Sequence, residues 1–209
     1  AIIGILAAIA IPQFAAYRTR AMNANAKALN KMAVNSQSDL NAELGAYGYT
    51  EGAEATLVDA VADLRSVGVV NDSNATPALA IGAVAATAGG RLAGFNGATN
   101  KGFAVPLGLG ANMELLCDAS GAVGDTTNTA TSYIAYTRHF QGDTAYGSDA
   151  DVPNVLYSVS NAGWVGQAGI QATTIAPAAQ TNEFDGDDNP VTADVDGGGE
   201  PSANWGIVQ

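Results

Sequence analysis

Positive charge is scarce in this chain. Eight of its 209 residues are lysine or arginine, against twenty aspartates and glutamates, and the net charge at pH 7 is −12. No acidic residue precedes Asp39, so the first 38 residues carry a net charge of +4 and the remainder carries −16. An acidic surface with few cations does not attract phosphate backbones, and the composition therefore argues against general nucleic-acid binding.

Cysteine and histidine are each represented once. Cys117 has no partner for an intrachain disulfide, and together with His139 it cannot complete a closed zinc site. The sequence lacks a Cys-x-x-Cys-His segment for haem attachment, and Gly102 follows Lys101 where a P-loop requires serine or threonine. We interpret Cys117 as a small buried residue and His139 as a half-exposed packing residue of a strand. No combination of residues indicates catalysis, so we expect no enzymatic activity.

Helix-breaking residues are missing from a long stretch near the start of the chain. After Pro12 there is no proline until Pro77 and no glycine until Gly45. Apolar residues recur there at steps of three, four or seven and form one stripe along a helix: Met22, Ala26, Leu29, Ala33, Leu40, Leu44 and Tyr47. Other faces hold the polar residues Asn25, Lys27, Asn30, Lys31, Asn35 and Gln37. The pattern predicts a helix that ends at about Leu44, with Gly45 as its stop.

The opening stretch, residues 1–16, is uncharged and apolar on all sides. The eleven residues before Pro12 span about 16 Å as a helix, which is short of a bilayer core of about 30 Å. We therefore expect the sequence to begin inside a longer hydrophobic segment. Such a stretch must lie in lipid or against other chains. Pro12 is expected to kink the helix or to melt it locally, and Gly4 and Ala8 permit close approach of a second helix.

The string AIIGILAAIAIPQFAAYRTRAMNA resembles the N-terminal helix of bacterial type IV pilins and the related pseudopilins. The likeness covers roughly the first 45 residues and is strongest at the end of the apolar run, Ile11, Pro12, Gln13, Phe14, Ala15, Ala16 and Tyr17. In that family an N-methylated phenylalanine and a short stretch with an acidic residue precede this run. Neither is part of the sequence, so the acidic residue's pairing with a neighbouring subunit cannot be mapped onto it.

The resemblance implies a structural subunit that polymerises through its N-terminal helix. Its partners would be identical subunits in a helical homopolymer, the inner membrane before assembly, and a pilus assembly machinery. Residues 1–45 would form the pilin helix and residues 46–209 the globular head. The residues that would pack in the filament core are Ile2, Ile3, Gly4, Ile5, Leu6, Ile9, Ile11, Pro12, Phe14 and Tyr17.

The remainder of the chain combines one short helix with strands. Thr56 to Val67 reads as a helix that starts at a threonine cap and stops at Gly68. Residues 71–112 are rich in Gly, Ala and Asn, and we interpret them as loops with one or two weak strands. β-branched and aromatic residues predict further strands at Met113–Cys117, at Ser132–Phe140 and, after a loop rich in Gly and Asp, at Val155–Ser160 and Gly163–Val165. The expected fold class is α+β, with the long helix packed against a small antiparallel β-sheet head with long loops.

An acidic segment, residues 183–199, carries oxygen ligands at alternating positions, as a hard cation requires. The candidate ligands are Asp185, Asp187, Asn189, Asp194 and Asp196. Pro190 replaces the turn glycine of an EF-hand loop, and no flanking helices are evident. The run Asp194-Val-Asp196-Gly followed by Trp205 is similar to the calcium loop of major pseudopilins. Ca²⁺ is therefore a possible ligand, and a solvated acidic loop is the alternative.

Three functions remain open on the sequence. The first is a major type IV pilin that forms extracellular filaments for adhesion, motility or surface contact. The second is the major pseudopilin of a type II secretion system, which shares the helix and would use the acidic segment as its calcium loop. The third, a membrane-anchored enzyme or binding protein, would need a pocket with converging polar groups, and the sequence offers none. We expect residues 1–16 to lie along a filament axis.

Overall fold

A helix of 43 residues, α1 (Ile2–Leu44), dominates the N-terminal part of the molecule, and antiparallel sheets follow it. The computed structural model describes residues 1–51, 80–81, 90–99, 101–120, 129–166, 180, 184 and 205–208. The fold is α+β, as the sequence predicts. The predicted helix Thr56–Val67 and most of the predicted loop region before residue 90 lie outside the described residues.

α1 ends where the sequence predicts. Gly45 adopts the left-handed conformation with φ of 68°, and its N–H donates to the Asn41 carbonyl at 2.7 Å. Glycine takes this conformation without steric cost, so it stops a helix cleanly. The helix continues through Pro12. Of the two predicted outcomes, local loss of helix is wrong and a kink stays a prediction, because proline removes one backbone bond while neighbouring turns keep theirs.

Nine strands are described, and they form two antiparallel sheets. The three-stranded sheet has the order β1-β3-β4, and the six-stranded sheet has the order β2-β5-β6-β7-β8-β9. The strands are β1 (Tyr49–Glu51), β2 (Ala80–Ile81), β3 (Gly90–Asn96), β4 (Lys101–Leu107), β5 (Met113–Ala119), β6 (Tyr133–His139), β7 (Thr144–Asp149), β8 (Tyr157–Ser160) and β9 (Gly206–Ile207). The head therefore holds more sheet than the small one that the sequence predicts.

The C-terminal half of α1 packs on one face of the six-stranded sheet and also on β3 and β4 of the three-stranded sheet. Five residues of the predicted stripe are buried at these contacts: Ala26, Leu29, Ala33, Leu40 and Leu44. They share one core with alternate residues of β5 and β6, such as Leu115, Cys117 and Ala135, because successive strand residues point to opposite faces. The amphipathic pattern of the helix thus positions the sheet beneath it.

The opposite face of this sheet carries an aromatic cluster. Phe184 stacks on Tyr157, with ring centroids 5.1 Å apart, and its edge meets Trp205 at 5.0 Å. Tyr136 of β6 completes the cluster, at 5.3 Å from Phe184. Phe184 and Trp205 come from two separate parts of the C-terminal region, so their ring contacts attach both of these parts to the sheet.

Three local predictions are wrong. Gly163–Val165 is not a strand, since Ala162–Trp164 forms a 3-10 turn in which the Gly163 N–H donates to the Asn161 side chain. The Gly- and Asp-rich stretch read as a loop contains β7, which pairs with β6 and β8. Burial also places two polar residues of α1, Asn30 and Gln37, on the inner face rather than among the outward ones.

Candidate functional site

The first part of α1 presents a continuous apolar surface to its surroundings, and we call residues 1–17 the apolar segment. Not one of its residues is buried. Its eight large apolar side chains are between 61% and 83% exposed: Ile2, Ile3, Ile5, Leu6, Ile9, Ile11, Phe14 and Tyr17. The other two predicted packing residues, Gly4 and Pro12, are exposed as well. Soluble proteins rarely leave so large an apolar patch uncovered, so this surface is the strongest candidate for function.

The length and composition of α1 are those of a helix that can cross a membrane. Its most apolar window of 18 residues has a mean hydropathy of 1.5, and no residue of that window is buried. A buried helix of a soluble core can pass the same test of length and composition, but its apolar residues would be covered. The uncovered apolar surface is therefore compatible with membrane association.

Just beyond the apolar segment, α1 forms hydrogen bonds with the head. The Arg18 guanidinium donates to the Gln141 side chain in the turn between β6 and β7. One turn further on, the Asn23 amide donates to the Asp143 carboxylate at 2.6 Å and accepts from the Asp143 N–H at 3.2 Å. The first fully buried residue, Ala26, follows directly. These contacts fix where the helix leaves the head.

Polar residues on the inner face of α1 form hydrogen bonds with backbone groups of the head. The Gln37 side chain accepts from the Gly48 N–H at 2.9 Å and donates to the Gly48 carbonyl at 2.6 Å. The Asn30 amide donates to the Ala135 carbonyl of β6 at 3.2 Å. Both side chains are fully buried. A buried amide that meets backbone groups resists sliding of the helix, since any shift would leave those groups unpaired.

A groove of about 560 Å³ runs along one flank of α1. The helix contributes Met22, Asn25, Ala28, Leu29 and Met32 to its wall, and the connection between β4 and β5 forms the opposite wall. The residues that line it include neither a carboxylate nor a thiol. Thioether side chains adapt their shape to an apolar partner, so the groove is suited to packing rather than to chemistry.

His139 lines the groove but is buried, so the prediction of a half-exposed histidine is wrong. Its Nδ1 accepts the Gln141 N–H at 3.0 Å. Burial lowers the pKa of the imidazole, and the positive charges of Arg18 and Arg138 lower that pKa further. The ring is therefore neutral at pH 7, which suits a packing role.

Buried charge also lies on the sheet face away from α1, where no pattern in the sequence predicted it. The Glu114 carboxylate and the Arg138 guanidinium are 3.9 Å apart and almost fully buried. Four residues beyond Glu114 on β5, Asp118 is buried, and burial raises the pKa of its carboxyl to about 7, against a weaker opposing hydrogen bond from the Ala119 N–H. Cross-strand register brings Glu114 opposite Arg138, and only the strand pairing could reveal this.

The five predicted calcium ligands, Asp185, Asp187, Asn189, Asp194 and Asp196, lie outside the described residues. Within the described part of the chain, no group of three or more His, Cys, Asp or Glu residues comes together. The residues on either side of the acidic segment are placed, however. Phe184, at the start of the acidic segment, and Trp205, six residues after its end, are both buried and in contact on the sheet.

No protein-family model, no curated protein and no solved structure matches this chain. The family resemblance therefore rests on residues 11–17 and the pattern of the helix around them.

Proposed function

We propose that this chain is a structural subunit of a type IV pilus-like extracellular filament and that it polymerises through its apolar segment. One observation supports this above all. Eight large apolar side chains project from a single helix, and no described part of the head covers them. The resemblance at Ile11 to Tyr17 points to the same family of proteins. The proposed role is mechanical, in adhesion, motility or surface contact, and involves no catalysis.

Burial of the apolar segment supplies the driving force for assembly. Each isoleucine or leucine moved from water into an apolar environment contributes about 1.5–3 kcal/mol. The described part of the head does not supply that environment, because α1 is a continuous helix and the described contacts with the head begin at Arg18. Copies of the chain can bury one another's apolar segments. A contact between two different surfaces of neighbouring copies extends an open filament when its rotation does not close into a ring.

Before assembly the subunit would reside in the inner membrane, with the apolar segment in the hydrocarbon layer. The exposed surface that later meets sister subunits suits lipid equally well, since both environments are apolar. A pilus assembly machinery would then extract the subunit and add it to the filament. The assembled filament would be located at the bacterial surface.

Detergent removal from the purified chain tests the polymer directly. The wild-type protein is expected to form filaments visible by electron microscopy. Ile5→Asp combined with Ile9→Asp should abolish them, because each buried carboxylate loses its hydration. Asn154→Asp with Ala162→Asp adds the same number of carboxylates to exposed positions of the head and should leave assembly intact. A wild-type chain that stays monomeric without detergent would refute the proposal.

The second candidate is the major pseudopilin of a type II secretion system. The acidic segment and the nearby Trp205 favour it, because they are similar to the calcium loop of those proteins. Such a subunit would form short structures in the periplasm instead of long shed filaments. Electron microscopy of material sheared from the cell surface separates the two candidates.

A further inference from the structure

Two charged pairs lie on different faces of the amphipathic half of α1. Lys27 and Lys31 form one pair, and Asp39 and Glu43 form the other, each spaced by one helical turn. Lys31, Asp39 and Glu43 are exposed and Lys27 is half-buried. The structure gives none of the four an ion pair or hydrogen bond with any described residue. Within the described part of the chain, nothing occupies either pair, so each is open to a charge on a second molecule.

The two pairs are separated by the same interval. Asp39 follows Lys27 by twelve residues, and Glu43 follows Lys31 by twelve residues. On a helix with 3.6 residues per turn, twelve residues correspond to a rise of about 18 Å, and the lysine pair and the acid pair lie on faces about 120° apart. A second, parallel copy of α1 that is shifted by about 18 Å along the axis, with its lysine face turned toward the acid face of the first, would place both lysines of one copy beside both acids of the other.

The same shift brings further residues of the two helices together. Residues 13, 16 and 20 of one copy would lie beside residues 25, 28 and 32 of the other. On the first copy, Ala16 is an exposed small residue, which allows close approach of two helices. On the second, Asn25, Ala28 and Met32 line the groove along α1. The acids Asp39 and Glu43 continue that groove-bearing flank at steps of three and four residues.

We propose that the flank of α1 formed by residues 25, 28, 32, 39 and 43 binds the lysine-bearing face of α1 from a second copy, with a stagger of twelve residues. The groove receives residues 13–20 of that copy, and Asp39 and Glu43 pair with its Lys27 and Lys31. This inference rests on the proposed filament and specifies one of its contacts.

The chemistry of the flank favours a second copy over other occupants. A lipid layer would cover the groove but would not pair with two carboxylates beside it. The chain's own apolar segment cannot bend back, because it belongs to the same continuous helix as the groove wall. The two contact faces are about 120° apart around the helix, so each copy can bind one neighbour on each face. Repetition of this contact extends an open polymer.

Disulfide cross-linking tests the stagger. In the variant Ala16→Cys with Ala28→Cys, the two thiols lie about 18 Å apart on one helix, so they cannot bridge within a molecule. The only native thiol, Cys117, is buried. Oxidation of assembled protein should produce a ladder of covalent oligomers. Ala21→Cys with Ala28→Cys is the matched control, because Ala21 is exposed on another face and should give little cross-linking.

Charge reversal tests the pairing. Lys27→Glu with Lys31→Glu makes both faces acidic, and Asp39→Lys with Glu43→Lys makes both basic. Each variant alone should need a roughly tenfold higher concentration to assemble at low salt, because two attractive pairs become repulsive. An equal mixture should assemble like the wild type, since each variant then offers the complement of the other. The difference in assembly concentration between each charge variant and the wild type should shrink at about 1 M salt, where charges are screened within about 3 Å.

The outcomes separate the two proposals. If the wild-type chain forms no filaments, the proposed function fails, and this contact fails with it. If the wild type assembles but the Ala16→Cys/Ala28→Cys variant gives no more ladder than its control, only the stagger is overturned. Charge variants that assemble as readily as the wild type would overturn the lysine–acid pairing while leaving the filament in place.

Discussion

At the scale of single residues, buried amides and carboxylates decide how firmly the helix is held. Gln37 makes two hydrogen bonds to the backbone of Gly48, and both partners are buried. Replacing Gln37 by leucine would leave a buried N–H and a buried carbonyl without partners. We expect Gln37→Leu to lower the free energy of unfolding by about 2–3 kcal/mol, measured by urea denaturation. Asn35→Leu, at an exposed position of the same helix, should change it by less than about 0.5 kcal/mol.

Asp118 predicts a dependence of stability on pH. Burial raises the pKa of its carboxyl from 3.8 to about 7 in the folded state. The folded protein therefore holds this proton between about pH 4 and 7 while the unfolded chain releases it, so the contribution of Asp118 to stability falls as pH rises through this window. Burial lowers the pKa of His139, so the contribution of His139 to stability changes in the opposite sense and falls as the pH decreases below 6.5.

Asp118→Asn isolates the carboxylate from the other titrating groups. The amide keeps an acceptor for the Ala119 N–H, which donates to the carboxylate at 2.8 Å. At pH 8 the variant should be more stable than the wild type by on the order of 2 kcal/mol. At pH 5 the gain should be clearly smaller. Melting temperatures at the two pH values measure both, and an equal gain at pH 5 and pH 8 would contradict the buried titration.

At the scale of elements, the aromatic cluster brings together two residues that flank the five candidate calcium ligands along the chain. Phe184 precedes Asp185, Trp205 follows Asp196, and the two rings are in contact on the sheet. Carboxylates can hold Ca²⁺ where their oxygens converge. The calcium site itself stays a prediction.

Limited proteolysis tests calcium binding in residues 183–199. With Ca²⁺ present, cleavage within this segment should be several-fold slower than in the presence of a chelator, because bound metal orders its ligands. Asp194→Asn with Asp196→Asn should abolish the difference. Mg²⁺ serves as the control ion, since it rarely accepts a site built only from protein oxygens. Identical cleavage rates with calcium and with chelator would contradict calcium binding by this segment.

At the scale of the whole molecule, the apolar segment and the head are energetically separable. No residue before Arg18 is buried, so the head gains nothing from the first seventeen residues. A variant that lacks residues 1–17 is expected to keep the melting temperature of the head within a few degrees. It should remain monomeric in sedimentation without detergent. Loss of the folded head on truncation would contradict this separation.

The sequence by itself determined α1 and its limits, because apolar periodicity and a left-handed glycine are local signals. It also determined which segment is apolar on all sides, since the hydrophobicity of residues 1–17 does not depend on context. The tertiary structure alone decided that Thr144–Asp149 is a strand, as neighbours on both sides supply its hydrogen bonds. It alone decided that Asn30 and Gln37 face inward, because the backbone groups that satisfy them come from distant parts of the chain.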